Sequence, residues 1–269
     1  MKSIDIQESL RKHIRRYDDM LTRLPEQFTP EAVHNARVEF KKLRALLRLL
    51  IYDADSKYRI APALVRCYHA LGPVRNLQLF IPHWQSLFPE TSFYLESKIK
   101  RLQQAQQDWI KMEEKGQWQK GLIELEQEVP SRLTITGYQK FLQLKLTAIR
   151  IYLLSDPEET ELHSIRKIVK DCFYVMRLNS QEWKMPAVIP PDLSLKSLPL
   201  LADELGLFND ACTMLNLLNA DWHQSWNEAD REKMTRLQQL LLTEKKARMQ
   251  DLLQQLPALF LHSLPRISA

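Results

Sequence analysis

One stretch of this chain occurs twice, about half a chain apart, in a pattern that suits a helix and not a strand. The first copy reads HNARVEFKKLRALLR from His34 and the second HSIRKIVKDCFYVMR from His163. Aligned on the histidines, both carry His at 0, Arg at +3, Lys at +7 and Arg at +14: His34, Arg37, Lys41 and Arg48 against His163, Arg166, Lys170 and Arg177. Apolar residues recur in step. Ala36, Phe40, Leu43 and Leu47 take the offsets of Ile165, Val169, Cys172 and Met176, and steps of three and four return to one face of an α-helix. A second repeated element follows each copy, LGPVRNLQLF from Leu71 and LGLFNDACTML from Leu205. Such a repeat predicts a duplicated helical bundle, a single domain over 1–269 built of two pseudo-symmetric halves of about 1–130 and 131–269.

The rest of the chain agrees with an all-α class. It has only 5 glycines in 269 residues, too few for the positive-φ turns of an all-β fold. Apolar periodicity predicts helices over roughly 5–23, 31–53, 57–70, 73–88, 91–127, 137–154, 158–178, 195–220 and 228–255. They are punctuated by Pro25, Pro30, Pro89, Pro130, Pro157 and the Pro190–Pro191 pair, with kinks or breaks expected at Pro82 and Pro199. Cys67, Cys172 and Cys212 form no CxxC pair and are expected as core residues in a reducing compartment. The charged N-terminal segment lacks the apolar stretch of a signal peptide, and no apolar run is long enough to span a bilayer. A cytoplasmic protein with no membrane partner is the expectation.

Placed on a helical wheel, offsets 0, 3, 7, 10 and 14 fall within a sector of roughly 80°, so His34, Arg37, Lys41, Arg44 and Arg48 form one ridge about 21 Å long. The apolar residues centre about 120° away, which leaves one face for the core and the ridge beside it. His163, Arg166 and Lys170 repeat the geometry, with Tyr174 nearby as a hydroxyl donor. Cations in line without acidic neighbours repel one another. An anion with regularly spaced charge would relieve that repulsion, because Arg forks onto phosphate oxygens, Lys supplies a mobile charge and His a further donor. The formal net charge of +5 agrees in sign but says little, since 38 basic residues stand against 33 acidic ones. Arg11, Lys12, Arg15 and Arg16 make an unrepeated basic cluster that could serve as an accessory.

HxxRxxxKKLRxLLR followed by LGPVRN, then HxxRKxxKxxxY followed by LGxxND, resembles the CHAD family (conserved histidine α-helical domain) over nearly the whole chain. The resemblance implies a duplicated bundle around a basic groove or cavity that binds inorganic polyphosphate without catalysis, often in proteins targeted to polyphosphate granules. Matched by motif, His34, Arg37, Lys41, Arg44, Arg75, His163, Arg166 and Lys170 inherit the binding role; Arg48 and Tyr174 join them from the helical wheel. The chain departs from the family pattern twice. Asn76 stands where an Asp usually follows Arg75, and Phe173 where an Arg usually continues the second ridge. Asp210 is expected to orient neighbouring basic side chains.

Other functions fit less well. No P-loop, GxSxG, HExxH or paired acid–base spacing is present, and Glu124, Glu126 and Glu128 form the only dense acidic alternation, so no catalytic residue and no cofactor is expected. The seven histidines include no HxxxH pair, and an Arg at +3 from each motif histidine opposes a metal cation. A nucleic-acid backbone such as RNA would fit the same ridge and is the alternative partner; the accessory role to a phosphohydrolase is more remote. Base stacking needs exposed aromatics among the charges, and only Phe173 and Tyr174 lie near a ridge. The six tryptophans, Trp84, Trp109, Trp118, Trp183, Trp222 and Trp226, are expected in helix interfaces.

Overall fold

The computed structural model describes residues 3–54, 60–113, 116–128, 132–178 and 193–261. Pro130, Trp183, the Pro190–Pro191 pair and His262 lie outside the described residues, as does the expected join near 130.

A short strand β1 (Ser3–Asp5) leads into α1 (Ile6–Arg23), a 3-10 turn over Leu24–Glu26, α2 (Pro30–Ala54), α3 (Pro62–Leu87), α4 (Phe93–Glu113) and α5 (Gln117–Glu128). A second strand β2 (Arg132–Thr134) then leads into α6 (Ile135–Leu154), α7 (Glu159–Met176), α8 (Ser197–Asn219) and α9 (Glu228–Phe260). A strand followed by four helices thus occurs twice, with α5 between. Neighbours correspond as well: α1 packs on α2, α2 on α3 and α3 on α4, as α6 packs on α7, α7 on α8 and α8 on α9. The all-α class holds with one addition, an antiparallel ladder that pairs Ile4 with Leu133.

Local chemistry sets the helix ends. The Thr29 hydroxyl accepts from Ala32 N at 3.1 Å just before Pro30 opens α2, an N-cap with proline at the first helical position. Thr134 accepts from Gly137 N at 3.0 Å to start α6, while Asp53 at the end of α2 accepts from Thr134 N at 2.8 Å. Glu158 and Glu161 close a reciprocal capping box on α7, and Asn227 caps α9 through Asp230 N at 2.7 Å.

Two predicted boundaries are corrected. The segments read as separate helices over 57–70 and 73–88 run together in the single α3 (Pro62–Leu87), with Pro73 and Pro82 inside it, while residues 57–59 lie outside the described residues. Both rings lie on its exposed side, where a carbonyl left without an intrahelical donor can turn to water. Conversely, the continuous 91–127 segment divides into α4 and α5, with Gly116 at φ +60° between them, a backbone region that glycine enters without steric cost.

The repeated helices supply the core. Ala36, Phe40, Leu43 and Leu47 are all buried, and so are Ile165, Val169, Cys172 and Met176. They join one large cluster in which α2 packs against α1, α3, α6 and α7. A second cluster lies where α3, α4, α8 and α9 meet, around Phe80, Trp84, Tyr94 and Leu237. The three cysteines are buried. Trp84, Trp109 and Trp118 are buried, and Trp222 and Trp226 pack against the second cluster. Among the described residues no helix is long and apolar enough to cross a membrane.

Candidate functional site

Packing α2 against α7 turns their two basic ridges toward each other, and α3 and α8 complete the walls of a cavity of about 430 Å³. Its lining comes in pairs related by the repeat: His34 with His163, Arg37 with Arg166, Lys41 with Lys170, and Val38 with Lys167. The Leu-Gly elements contribute Arg75 with Asn209, Asn76 with Asp210, and Leu79 with Thr213. Seven arginines and lysines face two aspartates there. The volume is in the range of small-molecule sites, but the lining is cationic where such sites are mostly apolar.

Every residue predicted for the site lines this cavity except Arg48. The ridge on α2 is longer than the cavity, and at its far end Arg48 Nη1 donates to Asp171 Oδ2 at 2.8 Å. Asp171 is buried and also accepts from Lys145 Nζ at 3.0 Å. At the Phe173 departure, the residue packs partly buried against the core, with Arg177 over its ring, and Arg44 has no cationic counterpart from α7.

The Leu-Gly elements seat the arginines. A Cβ on Gly72 would lie 3.6 Å from Arg37 Nη1, and one on Gly206 would lie 3.9 Å from Arg166 Nη2. Each glycine thus leaves the side of its helix low where the +3 arginine of the repeat crosses it. Arg37 Nη1 donates to Tyr68 O at 2.7 Å, and its guanidinium lies 4.4 Å from the Tyr68 ring centroid. Tyr68 also stacks on Phe40 at 4.6 Å. Arg75 Nη1 donates to Pro30 O at 3.2 Å. In contrast, the buried Nε atoms of Arg44 and Arg166 have no hydrogen-bond partner, an expensive state for a charged donor.

Burial and the neighbouring cations lower the proton affinity of several groups. Lys41 is brought down to about 7, by burial first and then by Arg166, Arg37, Lys170 and Arg44. Lys170 is lowered by burial and Arg166, against Asp203 and Asp210. His34 is lowered by burial, Arg75, Lys41 and Lys170, with Asp210 opposing. Asp210 also raises Arg75 against a larger effect of burial, so its field falls on the basic side chains it was expected to orient. His163 is lowered mainly by burial and Lys167. Its Nδ1 lies 2.6 Å from Asn209 Oδ1; an amide oxygen only accepts, so Nδ1 carries the proton and Nε2 becomes a donor only in the imidazolium. Burial pushes the Tyr174 phenol up to about 12, and it remains a neutral hydroxyl.

Sequence reasoning missed Tyr68, His69, Lys167, Asn209 and Thr213 as lining residues. For Asn209 the repeat itself held the signal, since its partner Arg75 is a predicted site residue at the same offset in the first half; the partners of Lys167 and Thr213 are the apolar Val38 and Leu79, which carry no such mark. Tyr68 has none either. Elsewhere, Arg11, Lys12, Arg15 and Arg16 lie together along α1, with Arg11 held by Glu126 at 3.3 Å. Among the described residues no three His, Cys, Asp or Glu side chains are grouped to hold a metal ion.

An all-α domain whose repeated helices close a cationic cavity between them is the class of protein that this fold and site define. The CHAD domain family model matches residues 7–219, and the chain belongs to that family. The crystal structure of the CHAD domain from the plant Ricinus communis shares the fold with a TM-score of 0.72 at 18% sequence identity, covering 97% of this chain and 90% of that one. No curated protein matches the chain.

Proposed function

We propose that the cavity binds inorganic polyphosphate, without catalysis, in a cytoplasmic protein that associates with polyphosphate granules. The observation that carries this reading is the convergence of basic residues from both halves on one cavity, with buried, unpartnered Nε donors on Arg44 and Arg166. A chain of phosphates supplies acceptors for those donors and counter-charge for the facing ridges, at the regular spacing that a single anion lacks. Membership of the CHAD family supports the same partner. RNA is less favoured because the two tyrosines among the cavity cations, Tyr68 and Tyr174, are each buried to 9% exposure and offer no open platform to a base. Of the two carboxylates in the lining, Asp171 is engaged by Arg48 and Lys145.

The test is titration with long-chain polyphosphate, orthophosphate and single-stranded RNA at matched salt. Polyphosphate should bind far more tightly than orthophosphate, because many contacts form on one chain, and its log affinity should fall about linearly with log salt. Substituting Arg44 and Arg166 together with Gln should weaken binding by at least about tenfold, the equivalent of one charge-assisted hydrogen bond. Equal affinity for polyphosphate and orthophosphate, a flat salt response, or displacement of polyphosphate by RNA at comparable concentration would overturn the reading.

A further inference from the structure

We propose that the cavity takes up a proton together with its polyanion, and that Lys41 is the residue that accepts it. This rests on the reading of the cavity as a polyphosphate site and concerns how that site is controlled.

Lys41 lies where the two ridges meet. Along its own helix it has Arg37 one turn before and Arg44 one turn after, and from α7 it feels Arg166 and Lys170. Acidic relief is elsewhere. Asp171 is committed to Arg48 and Lys145, and the field of Asp210 from α8 falls on Arg75, His34 and Lys170. On the α3 wall stand Arg75, His69 and Tyr68, the last covered by Arg37. Tyr174 from α7 faces the cavity as a neutral phenol. Where α1 packs on α2, Glu39 is engaged by His13 and Lys42. A guanidinium does not deprotonate, so the ridge charges that can be given up are the ammoniums of Lys41 and Lys170, and of these Lys170 is supported by Asp203 and Asp210 whereas the charges acting on Lys41 are all cations.

Burial and like charge therefore favour the neutral amine in the empty cavity, in keeping with a titration near neutrality. A polyphosphate chain reverses both effects, because its oxygens replace lost hydration and its charge outweighs the neighbouring cations. The bound state then holds Lys41 as an ammonium that donates to phosphate. Linkage makes the consequence quantitative: above the free-state midpoint, each unit of pH should weaken binding by about tenfold through this one group. The histidines contribute at lower pH. His34 and His163 are both shifted below the ordinary imidazole value, so above pH 8 their share is small.

The experiment is calorimetric titration of the full chain with long-chain polyphosphate at pH 8, in several buffers of different ionisation enthalpy, for wild type and Lys41→Arg. Wild type should take up close to one proton per site and lose affinity about tenfold from pH 8 to 9. Lys41→Arg, which keeps a permanent charge, should bind with little uptake and with a nearly flat affinity over the same range. Protons exchanged by the polymer end groups are common to both proteins and cancel in the comparison. Should Lys41→Arg fail to fold, the Lys41 side-chain NMR signal in wild type decides instead: it should titrate near neutrality when free and stay protonated to well above pH 9 with polyphosphate bound. Tight binding with no proton uptake, or uptake unchanged in Lys41→Arg, overturns this inference and leaves the polyphosphate reading standing. No binding of polyphosphate at any pH overturns both.

Discussion

Arg48 Nη1 donates to Asp171 Oδ2 across 2.8 Å, tying the end of one repeated helix to the middle of the other. Asp171 also lines the cavity, so the pair offsets one of the two negative charges in a lining that is otherwise cationic. Arg48→Ala should therefore do two things. Unfolding free energy should fall by about 1–2 kcal/mol, a modest amount because Arg48 is partly exposed and Lys145 remains beside Asp171. Polyphosphate affinity should fall a few-fold, although Arg48 does not line the cavity, whereas Asp171→Asn should leave affinity equal or higher. Denaturant unfolding and titration at fixed salt read the two effects separately.

Gly72 and Gly206 invite a graded test. A methyl group on either would sit in ordinary contact, 3.6 Å from Arg37 Nη1 or 3.9 Å from Arg166 Nη2. Gly206→Ala should raise stability by about 0.5–1 kcal/mol through helix propensity and leave binding unchanged. Gly206→Leu should displace the Arg166 guanidinium and weaken binding with the fold retained. At Gly137 the sign reverses, because a Cβ there would collide with the Asp53 carboxylate that holds Thr134. Gly137→Ala should cost about 1–3 kcal/mol. Thermal melts of the three variants check the order.

Stability without a polyanion should depend on pH through Lys41. Its folded-state value is lowered from 10.5 to about 7, so across that window the unfolded chain binds a proton that the folded chain does not. Stability then rises with pH, and the penalty is full below about pH 7. The melting temperature should climb from pH 7 to 9, and Lys41→Met should be more stable than wild type at pH 7 with a flatter profile. Saturating polyphosphate should remove most of the difference in slope.

A different lysine should affect folding alone. Lys98 is 0% exposed and Asp221 1%; they form an ion pair, completed by Arg101 Nη1 at 2.8 Å and the Tyr94 hydroxyl at 3.2 Å. The Lys98 ammonium also lies 5.1 Å and 5.0 Å from the ring centroids of Phe80 and Tyr94. Lys98→Met should cost about 3 kcal/mol by leaving the buried carboxylate underpaired, and joint replacement of both partners with apolar residues should cost less than that single change. Polyphosphate affinity should be unaffected, because this network belongs to the second core cluster, away from the cavity. Denaturation midpoints of the single and double variants give the comparison.

The helix wheel of α2 and α7 made most of the site legible, because burial of Phe40 and Val169 fixes where Lys41 and Lys170 must point. It could not show where the ridge stops being useful. Arg48 has the same angular position as Lys41, and its partner Asp171 comes from a helix more than a hundred residues away in the chain. Proline and glycine also misled at α3, where the Leu71-Gly72-Pro73 sequence reads as a break. There tertiary packing on both sides of the helix outweighs the local penalty, and Gly72 lies beside the Arg37 guanidinium. Tyr68 was invisible for a related reason: its repeat-related position is Ala202, so no second copy marked it. The ladder of β1 and β2 left no signal either, since three-residue strands carry too little alternation to register.

That ladder bears on the order of events in folding. It joins Ile4 to Leu133 across nearly half of the chain, and three residue pairs cannot offset the entropy of closing so long a loop by themselves. The helices and their shared core are expected to bring the strands together first, so that the ladder forms late in folding. Contacts of that kind hold back unfolding and do little to speed folding. On this argument the N-terminal strand should act as a latch on the lifetime of the folded state, set where the chain passes from one run of helices to the next.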